Sequence, residues 1–232
     1  MKKLLKSLLF IQFTMLLKSH SLSILPCLAA DTKSLPRSSV ATMPTILLEI
    51  EKKYQEADTL YAHFSQVNHN KILNQKKLSS GKIFIKHPAK IRWETEKPDP
   101  SVLISNGEQF WLYTPPFDEE EHGQLIEKKS SEIQSQVATA LLSGNFSKMK
   151  SLKIRQKTST TFLLTPKTGS AGTVKQALIT INRSQKTIEN IKLQHQGGNE
   201  SDISLSEITL GAPLEDKLFI FKAPPNTDRV KD

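Results

Sequence analysis

From Thr59 to Pro224 apolar and polar residues alternate with period two in a dozen separate runs. No other feature constrains the fold as strongly. In an extended chain this alternation sends one set of side chains to each face, and one of those faces has to be covered. The runs are LYAHFSQVNHN (60–70), GKIFIKH (81–87), IRWETE (91–96), SVLISNG (101–107), QFWLYTP (109–115), GQLIEKK (123–129), LKIRQKT (152–158), TFLLTP (161–166), VKQALITIN (174–182), TIENIKLQHQ (187–196), DISLSEITL (202–210) and LFIFKAP (218–224). Turn signals separate them at His87-Pro88, Pro98-Asp99-Pro100, Asn106-Gly107 and Gly197-Gly198-Asn199. Asn-Gly between two alternating runs is a strong hairpin signal. No internal repeat and no linker divides this region. The pattern predicts a mainly β protein built on a single antiparallel sheet.

Two stretches carry helical spacing instead. TILLEIEKKYQEA (45–57) repeats Ile46, Leu47, Ile50, Tyr54 and Ala57 along one side, with Thr45 placed to cap its start. SSEIQSQVATALLSGN (130–145) starts at a serine cap, carries Ile133, Val137, Ala140 and Leu141, and stops at Gly144. FSKMKSL after it adds a further turn.

A helix covers a stripe only about 10 Å wide, so two or three helices cannot shield a dozen strands. The sheet can cover itself as a packed barrel or sandwich, the solution that periodicity alone favours. It can also curl under helices and leave an apolar hollow. The hairpin GKIFIKHPAKIRWETEKP (81–98) poses the choice most sharply. Ile83 and Ile85 share a face with Ile91 and Trp93, and the residues between are mostly charged.

The chain has 232 residues, 37% of them hydrophobic, which is low for a fully packed protein but above the range of disorder. Residues 1–29 read as a secretory signal peptide: Lys2, Lys3 and Lys6 precede an apolar run from Leu8 to Leu17, and small residues follow at Ala29 and Ala30. Lys18 cuts the apolar run below the length of a membrane span. Pro26 fits poorly before a lipid-modified Cys27. Residues 30–44 read as a flexible polar tail, and 45–232 as the folded domain. Cleavage removes the single cysteine and, with it, disulfide and thiol chemistry. It also removes four lysines and no acidic residue, so the formal net charge falls from +9 to +5. The remaining lysines are scattered and the chain is exported, which argues against nucleic acid as a partner.

Catalytic chemistry is scarce. No His-x-His or His-Glu-x-x-His pair, no Gly-x-Ser-x-Gly elbow and no Gly-rich phosphate loop occurs. Asp118 to His122 (DEEEH) reads as a solvated acidic loop. Glu94 and Glu96 share a strand face beside Arg92 and Lys97 and read as surface charge balance. The sequence therefore points to a protein that is not an enzyme and holds no metal or cofactor.

KHPAKIRWETEKPDPSVLISNGEQFWLYTP (86–115) resembles the signature region of the LolA family, periplasmic carriers of outer-membrane lipoproteins. The features in common are a basic-residue–proline turn, an aromatic strand ending in Trp, a Pro-Asp hairpin, an Asn-Gly turn and a Trp-Leu-Tyr strand. AHFSQ (62–66), LLSGN (141–145), LTPK (164–167) and FIFKAPPNTDRV (219–230) resemble further family segments in the same order. The resemblance implies an unclosed β-barrel with two or three helices forming a lid over an apolar cavity. The expected acyl-chain wall is Phe64, Ile83, Ile85, Ile91, Trp93, Leu103 and Leu112, and a one-residue slip past Pro98 would exchange Leu103 for Val102 and Ile104. The expected lid residues are Ile46, Leu47, Ile50, Val137, Leu141 and Leu142. The family often has Arg before the first-turn proline, linking barrel and lid. His87 stands there in this chain and is the lid-gating candidate. On this reading a carboxylate in place of Ile91 is expected to leave the fold stable, because an open cavity wall gives it water.

The resemblance further implies triacylated lipoproteins as cargo, an inner-membrane ABC transporter that releases them, an outer-membrane lipoprotein receptor as a further partner, and a periplasmic monomer. A carrier of another lipid or glycolipid, and a lipoprotein-sensing regulatory module, are the alternatives on the same fold.

Overall fold

The computed structural model describes residues 43–118, 120–129, 137–149, 152–167 and 173–230. The predicted signal peptide, the tail up to residue 42, and the start of the second helix with Ser130 and Ile133 lie outside them. In chain order the elements are α1 (Thr45–Ala57), β1 (Thr59–Asn70), β2 (Gln75–Lys86), β3 (Lys90–Lys97), β4 (Ser101–Ser105), β5 (Gln109–Thr114) and β6 (Gly123–Lys129). Then come α2 (Val137–Leu142), β7 (Leu152–Gln156), β8 (Thr161–Pro166), β9 (Val174–Asn182), β10 (Thr187–His195), β11 (Glu200–Leu210) and β12 (Thr227–Arg229). Among the described residues no helix is long and apolar enough to cross a membrane.

All the strands join in one sheet, ordered β12-β6-β5-β4-β3-β2-β1-β11-β10-β9-β8-β7. The chain starts and ends its main ladder at the centre, where β1 pairs with β11. β7 and β12 stand at opposite ends of the order, so the sheet is not closed into a barrel. Asn106-Gly107 and Gly197-Gly198 turn the chain as expected, the glycines taking φ of +100°, +86° and +88°.

Three local expectations need correction. Thr45 does not cap α1: it is the first helical residue, Pro44 holds the cap position, and no side chain caps the start. The sheet is not wholly antiparallel, since β12 pairs with β6 in parallel. And LFIFKAP is not a strand. Asp216–Phe219 forms a short 3-10 turn, and the final strand is Thr227–Arg229. The cause is shared by the last two. After β11 the chain crosses the outer face of the sheet, and such a crossover brings the next strand in parallel. Its alternation serves to press Phe219 and Phe221 on that face, and Pro224-Pro225 cannot donate to a ladder.

This crossing segment covers apolar residues that a purely two-faced reading leaves wet. Ile104, Leu125 and Phe219 are buried outside the main core. Tyr113 and Phe221 pack with ring centroids 5.3 Å apart. Arg92 donates to the Leu218 carbonyl at 3.2 Å, and Lys86 and Lys90 meet Asp216 at 2.8 and 3.0 Å. Hydrogen bonds from those two lysines hold the Asp216 carboxyl below its usual range.

The inner face carries the main core. Leu47, Ile50 and Tyr54 of α1 and Leu141 and Leu142 of α2 pack with Leu60, Ala62 and Phe64 of β1, Ile83 and Ile85 of β2, and Ile179 and Ile191 of β9 and β10. α1 lies against β1 and α2 against β10. Phe64 sits opposite Gly81 in the ladder. A Cβ at Gly81 would lie 1.8 Å from the Glu94 carbonyl oxygen and 3.0 Å from the Phe64 ring, so only glycine lets β3 and the ring close in together.

Candidate inner-face binding site

Strand register places the predicted wall on one face. Ile83 faces Trp93, Trp93 faces Leu103, and Leu103 faces Leu112 across four consecutive strands. Directly opposed residues share a side of the sheet. Ile85 and Ile91 are opposed one step along, and the Phe64 and Trp93 rings stand 4.7 Å apart. Ile104, the residue a register slip would have brought in, is buried on the other face.

Burial divides this wall in two. Phe64, Ile83, Ile85 and Ile91 are almost wholly buried, with Ile91 only 3% exposed. Trp93 and Leu103 are half-buried at the edge of the core cluster, and Leu112 is half-buried beyond it. Phe110 and Ile126, which continue the same face on β5 and β6, are also half-buried. Among the described residues the inward side chains of β1 and β2 are thus covered, and an apolar shelf on β3 to β6 stays half-buried. Ile91 contradicts the expectation that a carboxylate there would keep access to water. It lies under the covered part, packed with Leu60 and Ile85 in the core. Two surface depressions, of about 340 and 460 Å³, lie elsewhere and contain no member of the predicted wall.

The predicted lid residues Leu47, Ile50, Leu141 and Leu142 are buried against the sheet, and Ile46 is half-buried at the margin. The Val137 side chain lies outside the described residues. Gly144, at φ +64°, ends α2 as expected: its N–H donates to the Leu141 carbonyl at 3.0 Å, and that of Asn145 donates to Ala140. A Cβ there would lie 2.9 Å from the Tyr54 ring, so the glycine also lets α1 and α2 approach.

What holds α1 in place is a polar set that apolar periodicity does not reveal. Glu51 is buried on α1 and accepts hydrogen bonds from the Ser147 N–H at 3.1 Å and the Ser147 hydroxyl at 2.5 Å. It ties α1 to the 3-10 turn Phe146–Lys148 that follows α2. Its signal in the sequence is a charged residue on the helix's apolar side, one position after Ile50. Lys53 donates to the Gln185 carbonyl at 2.6 Å, and Glu49 meets Lys186 at 2.9 Å, fixing α1 to the β9–β10 turn. His87 lies in the β2–β3 turn, and its backbone N–H donates to the Asp58 carbonyl at 2.8 Å. The contact places the gating candidate at the C-terminal end of α1.

Tyr54 completes the attachment. Its hydroxyl accepts the Ile188 N–H at 2.9 Å. Burial pushes the phenol up to about 12 against the opposing effect of that N–H. The fold therefore favours the neutral phenol. Its contribution is fully present below pH 10 and lost as pH rises towards 12, on the order of 2–3 kcal/mol. Alkaline unfolding of wild type should steepen over that interval. Tyr54→Phe should be less stable at pH 7, because it strands the Ile188 N–H, and should show a shallower alkaline decline. Equal slopes in a chemical-denaturation series from pH 8 to 12 would show that Tyr54 is not the group that titrates.

The family model described as outer membrane lipoprotein carrier protein LolA matches residues 55–222. An outer-membrane lipoprotein carrier protein from Pseudomonas aeruginosa is 30% identical over 181 residues, covering 76% of this chain and 83% of that one. One from Coxiella burnetii is 27% identical over 202 residues, covering 84% and 88%. A crystal structure of a LolA superfamily protein from Nitrosomonas europaea superimposes with a TM-score of 0.43 at 13% identity, covering 76% of this chain and 96% of its own.

Proposed function

The chain belongs to the LolA family of outer membrane lipoprotein carrier proteins, and from that premise we propose that it carries lipoproteins across the periplasm. It accepts triacylated lipoproteins released from the inner membrane by an ABC transporter, shields their acyl chains on the inner face, and delivers them to the outer membrane, directly or through a receptor there. It acts as a monomeric carrier and catalyses no reaction. The observation that supports this reading most is the divided inner face, an accessible apolar shelf at Trp93, Leu103 and Leu112 continuous with a helix-covered wall at Ile83, Ile85 and Ile91.

The physical demands of transfer fit that division. Each methylene removed from water stabilises a complex by about 0.8 kcal/mol, so a lipid anchor needs cover to cross an aqueous compartment. Full burial of several chains would hold them too tightly to release. An acyl chain landing on the shelf can extend inward over Ile83, Ile85 and Ile91 only by displacing apolar residues of the core cluster, to which α1 contributes Leu47, Ile50 and Tyr54. The apolar burial that α1 gives up in moving is subtracted from the affinity, which keeps the complex reversible. His87, beside the end of α1, is the proposed gate.

Weakening the lid should then tighten binding. Glu51→Ala removes the tie to Ser147, and the loss of a buried hydrogen-bonded carboxylate costs the closed state about 1–3 kcal/mol. Affinity for a triacylated peptide should rise about tenfold, since about 1.4 kcal/mol is a factor of ten, while handover to acceptor membranes slows. Titration of both proteins by calorimetry tests this. Weaker or unchanged binding in Glu51→Ala would mean that the helices do not compete with cargo.

A further inference from the structure

The β1–β2 hairpin ends in a feature that acyl transport does not use. Its turn, Lys71-Ile72-Leu73-Asn74, puts Ile72 at 85% and Leu73 at 61% exposure, and Leu78 follows on β2 at 62%. Turns of this kind are ordinarily polar. The apolar pair does not sit on an irregular loop. Asn70 accepts the Leu73 N–H at 3.1 Å, and Asn199 of the neighbouring β10–β11 turn accepts the Lys71 N–H at 3.0 Å. The Lys71 stem also lies over Gly198, where a Cβ would come within 2.6 Å of it. The turn is thus held in the shape that points Ile72 and Leu73 at solvent.

Position and charge define what such a tip can meet. In the ladder, Phe64, Gly81, Thr95 and Ser101 stand level, so β4 begins at the height of Phe64. Six more residues of β1 carry the tip about 20 Å further along the strand direction. Beyond the level of Phe64 and Gly81 no residue of either strand of the hairpin is buried. Lys71, Lys76 and Lys77 surround the apolar pair. The acidic groups nearby are Asp99, which pairs with Lys77 at 2.5 Å, Glu200, which pairs with Lys192 at 2.9 Å, and Asp202, which faces Val67 across the ladder and accepts a hydrogen bond from Asn190 at 2.6 Å. Asp118, Glu120 and Glu121 belong to the β5–β6 connection, which leaves β5 near the level of Phe64 at the same end of the sheet.

We infer that the β1–β2 tip docks on the surface of an anionic phospholipid bilayer, inserting Ile72 and Leu73 among the acyl chains while Lys71 and Lys76 engage phosphate headgroups. Two protruding aliphatic side chains inside a ring of lysines match the apolar interior and negative surface of such a membrane together. Two side chains give a weak, reversible contact, suited to a protein that visits membranes and leaves. The inference stands on the hairpin alone and holds whether or not the inner face binds lipoproteins.

The test is flotation of the protein, purified from the periplasm without cargo, with vesicles of phosphatidylethanolamine and phosphatidylglycerol at 3:1, and with vesicles of phosphatidylcholine. Wild type should partition at least about fivefold better onto the anionic vesicles, and 0.5 M NaCl should erase that preference. Ile72→Ser with Leu73→Ser should lower binding about tenfold, and Lys71→Gln with Lys76→Gln about threefold. Both variants should melt with wild type, because the tip lies outside the core. Failure of wild type to float with either vesicle would overturn the inference and leave the tip to a protein partner. Equal flotation of wild type and the serine variant would overturn it too.

Discussion

Ile91→Glu should lose about 4 kcal/mol of stability, a fall in Tm of about 10 °C for a domain of this size. Ile91 is 3% exposed in the apolar cluster that holds Leu60, Ile85 and the inward residues of α1, and among the described residues no lysine or arginine is buried. A carboxylate there must be desolvated without a partner or must force the helix away. Leu112→Glu is the matched control. Leu112 lies on the same face but is half-buried beyond the core cluster, so its carboxylate keeps contact with water. That variant should melt within about 3 °C of wild type, and should lose binding of an acylated peptide because it charges the shelf where the chain lands. Thermal melts of the two variants decide between a divided face and a uniform one. If Ile91→Glu is as stable as Leu112→Glu, the inner face is open along its whole width.

Fastening α1 in place should abolish uptake. Glu49 of α1 and Lys186 of the β9–β10 turn meet at 2.9 Å. Cysteines at these two positions, joined by a short cleavable bis-maleimide, would hold the helix against β1 and the core cluster. The crosslinked protein should bind a triacylated peptide more than tenfold more weakly than the same protein after cleavage of the linker. Single-cysteine variants carrying the reagent on one side should bind normally. Unchanged binding in the crosslinked protein would mean that cargo uses the exposed shelf alone and that α1 does not move.

The strand pattern was legible because β propensity, alternation and turn chemistry agreed. Twelve expected runs correspond to strands at eleven places, whereas the grouping of Trp93, Leu103 and Leu112 depends on the registers across the Pro98-Asp99-Pro100 and Asn106-Gly107 turns, which alternation alone does not fix. The final run misled for a physical reason. Phe219 and Phe221 alternate as they would in a strand, yet they serve as pegs for a segment crossing the outer face, and periodicity reports which side chains are buried without naming what buries them. The same limit hid the state of the inner face. Alternation identified Ile91 as inward-facing, but whether an inward residue meets a helix or a hollow depends on where α1 lies. That position is set by Glu51, Tyr54, Lys53 and Glu49, polar contacts between residues about 100 or more positions apart in sequence.

The two tryptophans offer the most direct test of acyl binding on the inner face, because they lie on opposite sides of the sheet. Trp93 faces inward beside Phe64, 4.7 Å between rings. Trp111 is opposed to Ile104 on the outer face and donates its indole N–H to Glu127 at 3.2 Å. Fluorescence is followed in Trp111→Phe, which retains only Trp93, and in Trp93→Phe, which retains only Trp111, during titration with a triacylated peptide and with the same peptide lacking its acyl chains. The account predicts a saturable blue shift from Trp93 with the acylated peptide alone, and a flat response from Trp111. A shift from Trp111 with Trp93 silent would place the acyl chains on the outer face and contradict it.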